Sequence, residues 1–140
     1  MIKKLIIIIF LICFESFGEE ILIIGNKSLP VDHLSKHEVK LIYLKKKLFI
    51  KNIKLVPVNL SPFNPLRKKF NKYILKMDNE QLNLYWNKMY FYGIDPPVVL
   101  SSQRSVVEFV SKIKGGIGYI TPKYLNKKVK VLLVIEVEKN

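Results

Sequence analysis

Apolar positions along the chain alternate between short unbroken runs and stripes at helical spacing. Glu20-Ile21-Leu22-Ile23-Ile24, ending at Gly25-Asn26, predicts a buried strand. After a loop with Pro30, Ser35-Lys36-His37-Glu38 forms a capping box, in which the serine covers one free amide and Glu38 reaches back. The helix it opens carries Leu34, Val39, Ile42 and Tyr43 on one side and Lys36, Lys40 and Lys47 on others. Lys54-Leu55-Val56-Pro57-Val58-Asn59 predicts a second strand, with Pro57 near a sheet edge or a strand end because it cannot donate to a ladder.

Asn64-Pro65 has the form of a helix start, with asparagine as cap and proline at the first helical position. Leu66, Phe70, Tyr73 and Ile74 follow at helical spacing. Asp78 and Gln81 open another helix, whose inner residues are expected to be Leu82, Tyr85, Trp86 and Met89. Gly93 ends it before the fixed turn Asp95-Pro96-Pro97. Ser101 or Ser102 caps a helix bearing Val106, Val107, Phe109, Val110 and Ile113, which Gly115-Gly116 stops. Ile117 to Ile120 and Val129 to Val137 supply two further strands. Strands and helices that alternate without tandem hairpins predict one layered α/β domain, and 140 residues leave room for no more.

The first residues have a separate pattern. Lys3-Lys4 precede the apolar block Leu5 to Phe14, and Ser16 and Gly18 are small residues at the −3 and −1 positions. These are the parts of a secretory signal peptide over residues 1–18, with a mature domain over 19–140 and export to the periplasm. The alternative is an uncleaved segment that anchors the protein to a membrane, although the block falls short of the ~20 residues of a span. Cys13 is the sole cysteine and is preceded by bulky Ile12, which disfavours a lipoprotein site. Cleavage would leave a domain without disulfide, thiolate or cysteine-metal chemistry.

The net charge of +13 comes almost wholly from lysine, since Arg67 and Arg104 are the two arginines. Readers of nucleic acid lean on arginine for bidentate contacts, so this balance, with export, argues against nucleic acid. It permits attraction of a small anion. His33 and His37 stand four apart, but the capping box places His33 before the helix, and no third histidine completes a metal site. Gly115-Gly116-Ile117-Gly118 follows a helix and precedes a strand, the reverse of a phosphate loop, and fits a helix stop. The aromatic run from Tyr85 to Tyr92 is expected to be core. No catalytic triad or carboxylate pair stands out, and nothing calls for a cofactor, so binding is favoured over catalysis.

One segment suits an anion. From Asn59 to Arg67 a strand ends, a loop of hydroxyl and amide side chains follows, and a helix opens. Free amides and the positive end of a helix dipole bind small anions there, which makes Ser61, Asn64, Leu66 and Arg67 the candidate ligand-binding residues. The ordinary alternative is a capped helix with no ligand.

The segments LPVDHLSKHEVKLIYLKKK, KLVPVNLSPFNPLRKKFNKYIL, YWNKMYFYG and VVEFVSKIKGGIGYI, in this order, resemble the phosphate-binding proteins of phosphate ABC transporters. The likeness is nearer to the short, half-length exported members of that periplasmic-binding-protein superfamily. It implies one lobe of a type II periplasmic binding fold, a mixed sheet flanked by helices on both sides. It also implies uptake of a phosphate-like oxyanion, with an ABC permease, a second lobe or a homodimer as partner. The family's serine-glycine-threonine tripeptide falls on Asn64-Pro65-Leu66, where both hydroxyls are gone and Pro65 has no amide to donate. The competing expectation is a periplasmic accessory protein that keeps the lobe without the ligand.

Overall fold

The computed structural model describes residues 18–138; residues 1–17 of the expected signal peptide lie outside the described residues. Strand β1 (Glu19–Gly25) is followed by helix α1 (Lys36–Tyr43), the small β2 (Phe49–Ile50) and β3 (Ile53–Lys54) hairpin, and strand β4 (Val56–Leu60). Helix α2 (Pro65–Phe70) widens into a π turn (Asn71–Leu75), and helix α3 (Asn79–Tyr90) leads to strand β5 (Val98–Leu100). Helix α4 (Gln103–Lys112), strand β6 (Gly116–Ile120), a short turn (Pro122–Tyr124) and strand β7 (Lys130–Val137) complete the order. The caps lie where the side-chain chemistry puts them: Ser35 with Glu38, Asn64 over Leu66, Asp78 with Gln81, and Ser102 with Ser105.

Five strands form one mixed sheet in the order β5-β4-β6-β1-β7. β4 pairs in parallel with β5 and β6, whereas β1 runs antiparallel to both β6 and β7. β6 is buried along its whole length, as expected of a strand covered on both faces. Its successive side chains face opposite layers. A Cβ on Gly118 would lie 2.5 Å from a Val106 methyl of α4, while the neighbouring Tyr119 ring stacks on Phe70 of α2 at 4.1 Å. Tyr43 of α1 packs against the same Phe70, so α1 and α2 share one face and α4 covers the other. The layered α/β expectation holds.

Pro57 sits in an interior strand but near its start. β6 pairs beside it, and the β5 ladder begins only at Val58. The strand-end alternative therefore applies, and no β5 hydrogen bond is lost to the missing amide. Gly115 has φ +80°, and a Cβ there would lie 2.0 Å from the Lys54 carbonyl oxygen, so these glycines turn the chain out of α4. The aromatic run corrects the core expectation. Tyr85 and Trp86 only lean on the core, while Tyr90, Phe91 and Tyr92 are exposed, Phe91 by 85%. Leu82 is the buried residue of α3, and the rest of this helix shows most of its surface to solvent.

Candidate functional site

The parallel strands β4, β5 and β6 end along one edge of the sheet, and antiparallel β1 begins there. Two helices start at this edge, α2 after β4 and α4 after β5. Crevices outside the carboxyl ends of parallel strands are where open α/β sheets bind ligands. A cavity of about 290 Å³ lies here, lined by Asn64, Pro65 and Leu66 from the start of α2, Gln103 from α4, Thr121 after β6, and Glu19 with Lys69.

The structure brings two of the four expected residues, Asn64 and Leu66, to this cavity. Ser61 forms the preceding turn, where its carbonyl accepts from the Asn64 amide at 2.9 Å and its Oγ from the Phe63 amide at 3.4 Å. The Leu66 amide is already held by Asn64 Oδ1 at 2.8 Å. Pro65 has no amide, so among the first-turn donors the Arg67 amide is the one that helix geometry leaves without an intrahelical partner.

Arg67 is not among the lining residues. Its Nη1 donates to the Leu60 carbonyl at 2.8 Å, tying the start of α2 to the end of β4. Its Nε is buried without a partner. Burial draws the Arg67 pKa down from its ordinary value, with nearby Tyr119 opposing. Behind it, the Tyr119 hydroxyl donates to Asn59 Oδ1 and accepts from the Leu60 amide at 3.2 Å. Burial raises the Tyr119 pKa, while the Leu60 hydrogen bond and the Arg67 charge act against it. The phenol therefore stays protonated and serves as a fixed bracket for the β4 end.

Four lining residues, Gln103, Thr121, Lys69 and Glu19, escaped the sequence. Gln103 Oε1 accepts from both the amide (2.7 Å) and the hydroxyl (3.0 Å) of Thr121, which fixes the cavity's far wall. Lys69 brings a cation but is ion-paired with Glu19. An incoming anion must share Lys69 with that carboxylate. A lysine and a glutamate 50 positions apart carry no local signal of being neighbours. His33 and His37 are both exposed, one before the Ser35 cap and one in the first turn of α1. Among the described residues no group of three histidine, cysteine or carboxylate side chains is placed to hold a metal ion.

No protein-family model matches the chain, and neither does any curated protein sequence. Solved structures do match. An ABC-type phosphate transport receptor from Vibrio cholerae superposes with a TM-score of 0.66 at 16% identity, over 83% of this chain and 46% of that one. A Clostridium perfringens protein, assigned as a phosphate ABC transporter substrate-binding protein and solved with bound phosphate, gives 0.67 at 21% identity, over 83% and 45%. PstS from Borrelia burgdorferi gives 0.63 at 13%, over 84% and 48%. The chain thus spans about half the length of the structures it matches. Its fold is that of a periplasmic-binding-protein-like lobe, similar to part of the phosphate receptors of ABC transporters.

Proposed function

We propose that the chain is an exported, non-catalytic solute-binding domain that takes a small oxyanion, phosphate first, at the carboxyl edge of its sheet for ABC-type uptake. The observation that carries this is the 290 Å³ cavity between the start of α2 and the Gln103–Thr121 wall, in a fold shared with a protein solved with phosphate bound. Lys69, the Asn64 side chain and the Arg67 amide are the donors on offer. Removal of residues 1–18 would add the α-ammonium of Glu19, a residue that lines the same cavity. An ABC permease, or a second lobe from another subunit or another copy of the chain, would complete the assembly.

Half a clamp leaves the anion partly hydrated and each contact screened. A few charge-assisted contacts, offset by the freedom lost on binding, predict a dissociation constant near 1 mM, or roughly −4 kcal/mol. Isothermal calorimetry with phosphate should show this weak binding in the monomer, its loss in salt, and its loss on Lys69→Gln. Sub-micromolar binding by a monomer would refute the half-site, whereas tight binding by a dimer alone would mean that two copies build the cleft. A second reading is an accessory protein that has lost the ligand. It is favoured by the occupied Leu66 amide, the missing Pro65 amide and the Arg67 guanidinium turned onto Leu60. Absence of any heat with phosphate at millimolar concentrations would select it.

A further inference from the structure

A larger cavity, of about 470 Å³, lies on the segment that follows the candidate loop. Lys68, Lys72 and Lys76 recur at every fourth position through α2 and the π turn, and all three line it. One carboxylate, that of Asp78, joins them, and its Oδ1 is held by the Gln81 amide at 2.8 Å. Among the described residues none of these lysines lies within ion-pair distance of a carboxylate. The second observation is Asn71, which also lines the cavity. The residue is 5% exposed, and its Oδ1 is buried with no hydrogen-bond partner. Such an acceptor is expensive in a core, and no bond through that atom stops the amide from turning to present either of its ends.

We propose that this cavity binds a phosphomonoester of a polyhydroxylated compound, of the sugar-phosphate class. Three lysines against one carboxylate give the lining a net charge of two positives, which matches a phosphomonoester dianion. The Asn71 amide both donates and accepts, as a sugar hydroxyl requires, and the Met77 side chain supplies an apolar wall. The space exceeds what a bare phosphate fills, since a water takes about 30 Å³ of liquid volume. The residues are separate from those of the sheet-edge cavity, and the proposal does not depend on a ligand there.

The test is NMR titration of the isotope-labelled protein with glucose 6-phosphate, glucose and inorganic phosphate at matched ionic strength. Glucose 6-phosphate should give saturable shifts at the Asn71 side-chain amide and the Lys72 and Met77 backbone amides, with none from glucose. Inorganic phosphate should bind at these positions about tenfold more weakly or worse. The double variant Lys68→Gln, Lys72→Gln alters exposed side chains and should keep the fold while weakening binding by about tenfold or more. Asn71→Leu should raise the melting temperature, by removing an unpaired acceptor, and still weaken binding. If that variant misfolds, the lysine pair decides. Vesicles carrying phosphatidylinositol 4-phosphate distinguish a lipid headgroup from a free sugar phosphate as the source. Their capture in preference to phosphatidylserine vesicles, with no response to the free sugar phosphate, assigns the same site to a lipid. Shifts equal for all anions, or equal capture by both kinds of vesicle, overturn the proposal, as does no response in either arm.

Discussion

Arg67 carries a charge that the fold draws inward. A guanidinium bonded to the Leu60 carbonyl helps hold β4 and α2 at a fixed angle, and burial is tolerable because the group stays hydrogen-bonded on one side. The Tyr119 hydroxyl braces the same corner through Asn59 and the Leu60 amide. Tyr119→Phe keeps the ring stack on Phe70 but strips that bracket, leaving the Leu60 amide with Asn59 Oδ1 alone at 3.0 Å. The expected loss is about 1–2 kcal/mol in urea denaturation, the usual result when a buried hydrogen bond loses one partner. A variant as stable as the parent would show that neighbouring groups recover the bond. Asn59 and Tyr119 stand 60 positions apart. Read singly they are a polar strand residue and a core aromatic, which is why their joint role is not visible along the chain.

Helix starts are the elements whose cause is most local. Each cap bonds within three residues, so Ser35, Asn64, Asp78 and Ser102 act much as they would in isolated peptides. Asp78→Ala should therefore cost about 0.5–2 kcal/mol, read as a lower denaturation midpoint with an unchanged slope. α3 itself shows what local periodicity leaves open. Its aromatic stripe has helical spacing, yet only Leu82 is buried, because spacing alone does not say whether another layer covers that face. Leu82→Ala should cost about 2–5 kcal/mol, whereas Phe91→Ser should change stability by no more than about 0.5 kcal/mol. Equal effects in thermal melts would return the stripe to the core. The π turn after α2 is another departure from local preference. It brings both Ile74 and Leu75 into the core and ends on Lys76 at φ +53°.

At the scale of the molecule, half the length of a phosphate receptor's chain forms a closed hydrophobic core around one mixed sheet. Among the described residues no helix is long and apolar enough to cross a membrane. Sequencing of the mature protein from its host should give Glu19 as the first residue, and recovery of Met1 from a membrane extract would favour the anchor. The sequence by itself determined the helix starts and their caps, the strands β1, β4, β6 and β7 and the glycine stop after α4, because these follow from contacts between residues only a few positions apart, whereas the β2–β3 hairpin, β5 and the π turn went unread. Tertiary structure alone decided the strand order, the exposure of the α3 aromatics, the turning of Arg67 onto Leu60 and the meeting of Glu19 with Lys69. These depend on pairing and burial across long separations, such as the Asn26 side chain that donates to the Val110 carbonyl 84 residues away. No short-range preference encodes which distant partner a strand or charge meets, since that is set by how the layers close over one core.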